Sequence, residues 1–435
     1  MRKTKLALAI ATSAMISTPV LATNGDNLIG LGAQSRALGG TGTAAFFGSE
    51  NALTNPALLG KSQGTEFAIG GTLFKPDVKA TTDVATMGQP AASQTSDADT
   101  NIIPEVSLST RINDNWTFGL GIFGSAGMGT DYRDSDALFN GYSNLQIMKF
   151  APSLAYNKDN FGFGFAPVIQ YGALDINYRN QARDANMAPQ FYQADGSISS
   201  NQSMEPVMQS IGNGMSSDLG YGFNLGAYFD VTKEFTIAAA YQSAISMEYD
   251  DQISVAADGF MLPMFGVNLS DKLEQPAEIK IGAAYTTGNW MFTADAKQIK
   301  WGDAEGYKDF NWEDQNVFGL GAKYSGNGYW VGAGYNFGSD PIDKIDDNTY
   351  AGQAVDLFNN HFFPAVVESH FTFGGGYNIT KNMAIDAAVV YAAEVDKTVD
   401  TSAVSNMLTS GMVTSSEHEV THSQIGYTVS LRMNF

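Results

Sequence analysis

The chain ends in an alternating run. Ile425, Tyr427, Val429, Leu431, Met433 and Phe435 are apolar, and Gln424, Gly426, Thr428, Ser430, Arg432 and Asn434 between them are polar or small. Successive side chains on a strand point to opposite faces, so period two over about eleven residues describes a strand with one apolar and one polar face. That length, carried to the last residue, fits a membrane-barrel strand with lipid on one side and lumen on the other. The pattern recurs from Phe67 onward without an obvious break. The expectation is therefore one closed sheet, although 435 residues could hold two or three soluble domains.

Composition agrees with that reading. Forty-six glycines, nineteen tyrosines and twenty-seven phenylalanines against 16% charged residues suit an aromatic exterior and a lumen narrowed by few large side chains. With no cysteine there is no disulfide framework, thiol nucleophile or thiolate metal site. A net charge of −21 argues against nucleic acid, whose phosphates need Lys and Arg, and is read as solvated loops.

The amino terminus reads as a secretory leader: a positive Met1-Arg-Lys-Thr-Lys start, an apolar stretch from Leu6 to Ile16, and Val20-Leu21-Ala22 before a cleavage at Thr23. No later run of about eighteen apolar residues could form a helical span. The expected division is a signal peptide over 1–22, a luminal hatch over 23–64, and a barrel over 65–435, placed in a bacterial outer membrane.

Short turns are expected at Asn113-Asp-Asn115, Lys158-Asp-Asn160, Thr232-Lys-Glu234, Thr287-Gly-Asn289, Gly326-Asn-Gly328 and Thr380-Lys-Asn382. Six hairpins plus a first and a last strand make an all-β, fourteen-stranded antiparallel transmembrane barrel. Long polar loops are expected over 75–100, 127–141, 180–217, 250–275, 302–314, 338–366 and 395–419. Short turns on one side and long loops on the other put both termini in the periplasm. Two loops carry irregular apolar residues: Met187, Phe191, Tyr192, Met204, Val207, Met208 and Ile211 in one, and Phe260, Met261, Leu262, Met264 and Phe265 in the other. They form a greasy outer vestibule or pack on each other.

The stretch from Thr23 to Gly64 does not alternate and is too short for its own core, so it is placed in the lumen as a plug. Its residues Gly30-Leu-Gly-Ala-Gln-Ser-Arg36-Ala-Leu-Gly-Gly40-Thr-Gly-Thr-Ala-Ala45 and Asn51-Ala-Leu-Thr-Asn55-Pro56-Ala57 resemble the hatch of FadL-type outer-membrane transporters (the OmpP1/FadL/TodX family). A weaker echo is Gly127-Met-Gly-Thr-Asp-Tyr132. The resemblance implies a plugged fourteen-strand barrel for long-chain fatty acids or other hydrophobic compounds, an external groove, an internal pocket, and lateral exit near the third strand. Hydrophobic small molecules, outer-membrane lipid and lipopolysaccharide would be the partners of a monomer without cofactor or metal.

The residues supply candidates for each step. Pro104 in strand two and Pro152 in strand four each remove a ladder donor, and Gly121 and Gly124 lie in the glycine-rich strand between them. These four are the candidate side gate; alternatively they mark bulges and relieve crowding. Alternation points Glu105, Arg111, Lys149, Glu278, Lys280, Asp295, Lys297, Lys323, Asp386 and Arg432 inward, because charge on the lipid face costs about 2–4 kcal/mol near mid-bilayer. Arg36, Lys280 and Lys297 are the candidates for holding a substrate carboxylate; otherwise they pair with acids to join barrel and hatch.

Two enzyme-like patterns fail on geometry. His418-Glu-Val-Thr-His422 matches a zinc-protease motif, but Val420 and Thr421 lead into the last strand, where residues rise about 3.4 Å each and two histidines four apart stand about 13 Å from one another. Gly119-Leu-Gly-Ile-Phe-Gly124 fits a dinucleotide pattern but opens no helix. A general diffusion porin or structural barrel would have no reason to fill its lumen, and a lipid hydrolase would need a nucleophile and base that the four histidines do not supply.

Overall fold

The computed structural model describes residues 24–435 except 86–89, 183–189, 194, 196, 201–206 and 346–347. The leader expected over 1–22 and the loop residues Met187 and Met204 lie outside the described residues. Fourteen long strands form the wall: β1 (Thr65–Thr82), β2 (Asn101–Arg111), β3 (Trp116–Met128), β4 (Tyr142–Lys158), β5 (Phe161–Gln181), β6 (Ser216–Asp230), β7 (Phe235–Gln242), β8 (Glu278–Thr287), β9 (Trp290–Ile299), β10 (Gln315–Ser325), β11 (Tyr329–Gly338), β12 (Ser369–Thr380), β13 (Met383–Asp400) and β14 (Glu417–Asn434). Each pairs antiparallel with its chain neighbour. β14 pairs with β1, Met433 opposite Phe67 and Gly426 opposite Phe74, which closes the cylinder.

The six short turns fall where local chemistry asks for them. The Asn113 side-chain oxygen accepts the N–H groups of Asn115 and Trp116, each at 3.0 Å, and Thr232 Oγ1 accepts those of Glu234 and Phe235 at 3.1 Å. Gly288 takes φ +55° in the β8–β9 turn, a left-handed conformation costly to a residue with a Cβ. On the wall, Tyr427 and Val429 face out while Thr428 and Ser430 are buried inward, which is the alternation of the terminal run.

The strands outrun the expected loop boundaries. β1 continues to Thr82 and β13 to Asp400, so the loops expected from 75 and 395 begin later. Exposed Lys75, Asp77 and Lys79 still alternate on β1, because a strand that leaves the hydrocarbon can keep its ladder while its outer face turns polar.

Residues 24–62 lie inside the cylinder. They form α1 (Gly32–Ala37), α2 (Asn51–Thr54) and a 3₁₀ turn (Pro56–Lys61). The segment bonds to strands around the ring: Arg36 to Thr72 and Thr428, Thr41 to Thr293, Gly39 to Thr372 and Asn336, and Lys61 to Asp230. Close approach is possible where the wall is bare. A Cβ on Gly226 would collide with Asn55 Oδ1, and one on Gly334 with the backbone of Gly39. Asn55 explains its own motif: its side chain accepts from Ala57 N–H at 3.1 Å and donates to Thr43 O at 2.7 Å, while Pro56 opens the 3₁₀ turn.

The long loops fill the opposite half. α3 (Ile253–Gly259), α4 (Tyr350–Phe362) and α5 (Ser402–Leu408) belong to these loops, and α4 buries Leu357, Phe358 and Phe362 fully. One apolar core joins the loops to the inward faces of β3, β4 and β5 through Phe123, Leu145, Leu174 and Tyr178.

Candidate functional site

Between hatch and loops is a cavity of about 70 Å³ lined by Lys149, Lys280, Lys297, Glu278 and Asp295, together with Asn27–Leu31 of the hatch and Ser125 of β3. Inward alternation on β4, β8 and β9 puts these charges there. Lys280 Nζ lies 2.9 Å from Glu278 Oε2 and Lys297 Nζ 3.9 Å from it, so one acid serves two lysines. Asp295 is occupied by the hatch: its Oδ2 accepts the N–H groups of Gly42 and Thr43, each at 2.9 Å. Lys149 is 2% exposed and joins no ion pair among the described residues. Three lysines against two acids leave one formal positive charge facing the cavity.

Lys280 and Lys297, expected as carboxylate holders, are therefore on the cavity. Arg36 is not. Its guanidinium is 2.6 Å from Glu105 and from Thr72, which makes it a tie between hatch and wall. Lys149 is the cation that sequence reasoning placed in the lumen without singling it out; its isolation depends on which acids the fold puts nearby.

The wall beside the cavity is interrupted. The β2–β3 ladder runs from Arg111 opposite Thr117 to Glu105 opposite Phe123 and stops. Asn101–Pro104 pair with β1, and β3 beyond Gly124 pairs with β4 through a register shift at Ser125. The hatch takes the vacated edge. Leu28 N–H donates to Ser125 O at 3.3 Å, and Gly127 N–H donates to Asp26 O at 3.0 Å. Of the four gate candidates, Pro104 and Gly124 lie at this interruption, where a Cβ on Gly124 would stand 2.7 Å from Ile103. Gly121 lies two rows inside the last paired row and makes room for the Phe123 ring. Pro152 lies on the β4–β5 seam, where pairing lapses between Phe150 and Leu154 opposite Pro167.

The Asp26 carboxylate is a second link. Its Oδ2 accepts from Tyr307 Oη and, at 2.7 Å, from Gln275 Nε2. Burial pushes its carboxyl up to about 6 against the pull of those two donors. Tyr307 packs with Trp301 and Trp312, ring centroids 4.6 and 4.8 Å away. Tyr307, Phe310 and Trp312 inside the polar loop expected over 302–314, with Trp301 just before it, were the available signal for this cluster.

The vestibule candidates divide. Phe260 and Met261 are 7% and 9% exposed in the loop core, with Tyr178, Phe358 and Phe362 around Phe260. Met264 and Phe265 are 61% and 42% exposed at its surface, Phe265 stacked on Tyr350 at 4.5 Å. His418 and His422 both lie on β14, facing inward, so the extended spacing holds for both. Among the described residues no group of three or more His, Cys, Asp or Glu is placed to hold a metal.

The profile of the family described as outer membrane protein transport protein (OMPP1/FadL/TodX) matches residues 10–435. The chain belongs to this family. This FadL-type chain is 29% identical over 283 residues to a long-chain fatty acid transport protein of Salmonella typhi, covering 60% of each, and 26% identical over 283 residues to that of Escherichia coli K12. It thus spans about 60% of the length of these curated relatives. Outer membrane protein P1 of Haemophilus influenzae is 22% identical over 381 residues, covering 78% of this chain and 79% of its own. Among solved structures, a Pseudomonas aeruginosa FadL homologue superposes with TM-score 0.68 at 15% identity, covering 94% of this chain and all of its own. The Pseudomonas putida toluene transporter TodX does so with TM-score 0.66 at 20% identity, covering 94% of this chain and 99% of its own. The FadL-type chain shares their fold. Membership also places it in a family of transport proteins, in line with the failure of both enzyme-like patterns.

Proposed function

We propose that this FadL-type chain is a passive outer-membrane channel for hydrophobic compounds that carry a carboxylate, long-chain fatty acids foremost. Loops face outward, the short turns and both termini face the periplasm, and lipid and lipopolysaccharide surround a single barrel. An apolar molecule partitions poorly into a polysaccharide leaflet, so capture begins at Met264 and Phe265. The carboxylate then pairs with Lys149, supported by Lys280 and Lys297, in a space large enough for a head group alone. The tail leaves through the wall between β2 and β3 once Asn24–Leu28 lets go of the β3 edge. A general porin is disfavoured because hatch and loops fill the lumen.

The observation that carries this reading is the buried Lys149 ammonium, in no ion pair among the described residues, on a cavity that also touches Ser125 at the interruption. A buried cation without a counter-ion is costly, and a ligand carboxylate removes that cost. A substrate panel of a fatty acid, toluene and a sugar, in cells lacking other uptake routes, tests it. Fatty acid uptake that falls in Lys149→Met supports the proposal; equal uptake of the sugar overturns it.

A second reading, neutral aromatic hydrocarbons, draws on the uncharged lining of Leu174, Phe310, Trp312 and Phe363, whose space of about 10 Å³ has to open before a ring can enter. In that case toluene is taken up and Lys149→Met leaves its uptake unchanged.

A further inference from the structure

All four histidines of the chain are buried, and two of them meet where α4 docks on the wall. His361, in the last turn of α4, holds its ring 5.4 Å from that of His418 at the start of β14. The rings of Tyr132, Phe139 and Phe362 surround His361 at 5.2, 5.9 and 4.7 Å. The contact continues through the backbone. Thr130 Oγ1 donates to His361 O at 2.8 Å, Ser143 Oγ to Phe362 O at 2.5 Å, and Asn360 Nδ2 to His418 O at 3.2 Å.

α4 closes the loop end over the lumen. Phe358 stacks on Phe310 at 5.0 Å and packs against Phe260, while Tyr350, at the other end of the helix, lies against exposed Phe265 and donates to Phe260 O. Anything that lands on Phe265 therefore meets α4 before it reaches the cavity.

We propose that the α4 segment is an entry lid that acid releases, with His361 and His418 as its trigger. Neutral imidazoles suit an aromatic, water-free contact. An imidazolium there is a buried charge without a counter-ion among the described residues, and protonating both rings adds like-charge repulsion at 5.4 Å. The titratable and charged groups around the pair do not relieve it. Tyr132 presents a neutral phenol, Asp131 is paired with Arg133, and Lys397 of β13 is paired with Asp340 at 2.7 Å. Asp356 of α4 accepts from Ile345 N–H. The group that favours a charged His361 is the Leu138 carbonyl, and burial outweighs it, so that the imidazole sits well below its usual range.

The sign follows from linkage. A histidine whose pKa is depressed in the closed form and normal in the open form leaves the closed form fully favoured above ~6.5 and progressively less favoured below it. Each released histidine shifts the closed-to-open ratio by about tenfold per pH unit in that window. This device does not depend on which substrate the channel carries.

The absence of cysteine allows clean labelling. Spin labels at Ala351→Cys on α4 and Asp396→Cys on β13, in lipid nanodiscs, report their separation by double electron–electron resonance at pH 7.5 and pH 5.0. A longer second distance that grows at pH 5.0, and vanishes in His361→Phe/His418→Phe, is expected. One distance at both pH values, or the same growth in the double variant, overturns the proposal. Heat-modifiable gel migration checks that each barrel is folded; if the double variant is not, His361→Gln alone replaces it, with a shallower pH dependence expected and an unchanged one overturning the trigger. The readout needs no substrate, so its failure is distinct from failure of the transport reading.

Discussion

Arg36 of the hatch and Glu105 of β2 form a buried ion pair with 2.6 Å between nitrogen and oxygen. Glu105 is also in the last row of the β2–β3 ladder, next to Pro104. The residue that anchors the plug is thus the residue at which the wall stops being sealed, so hatch attachment and wall interruption share one side chain.

Breaking that pair leaves a buried carboxylate unpaired. Arg36→Ala is expected to destabilise the attachment by about 3–5 kcal/mol, whereas Arg36→Met with Glu105→Leu restores most of it. Ion conductance in planar bilayers checks this: it rises in the single variant and returns towards the parent in the double.

Lys149→Met removes the cavity's unmatched charge. A lost charge-assisted bond of about 1.5–3 kcal/mol corresponds to a loss of roughly tenfold to a hundredfold in fatty acid affinity. Titration calorimetry on the detergent-exchanged barrel measures it, with Lys300→Met, a lysine of the β9–β10 loop, as the variant expected to bind normally.

The Asp26 carboxyl, raised by burial from 3.8 to about 6, makes the hatch tip sensitive to pH. Because the folded value is the higher one, its contribution is complete below ~4 and is lost as pH rises through about 6, on the order of 3 kcal/mol in all. Amide exchange at Gly127, corrected for intrinsic rates, is expected to quicken between pH 5 and pH 7.5, and Asp26→Asn should abolish that dependence.

Cysteines placed at Ile103 and Gly124 would bridge the interruption, since a Cβ at 124 would touch the Ile103 side chain. Oxidation is expected to suppress uptake of the substrate while the barrel remains folded, and reduction to restore it. Uptake that ignores the redox state would remove this exit from the mechanism.

Asn55→Ala loses the 3₁₀ cap and the bond to Thr43 O inside the lumen. A cost of about 1–3 kcal/mol is expected, read as faster trypsin cleavage after Lys61.

Much of this molecule was legible beforehand because the information was local. Period-two patterning marks a strand and its lipid face, and Asn113, Thr232 and Gly288 carry their turn chemistry with them. The Asn55-Pro56-Ala57 signature likewise organises its own backbone. Other features came from pairing over long separations. α4 is an apolar helix inside a loop that reads as polar, stabilised by loops distant in sequence. Arg36, read either as a ligand for substrate or as a tie between barrel and hatch, took the second role because Glu105 arrives beside it, and Lys149 joins no ion pair among the described residues while Glu278 is shared by its two neighbours.

By itself, then, the order of amino acids determined the fourteen strands, their turns and the direction each charge faces, since a strand's two faces follow from neighbouring residues alone. Only the tertiary structure decided which charges neutralise one another, where the wall lacks a partner strand, and which loop closes the top. Those depend on register and closure around the whole ring, where the missing rows between β2 and β3 leave an edge that the hatch must cover.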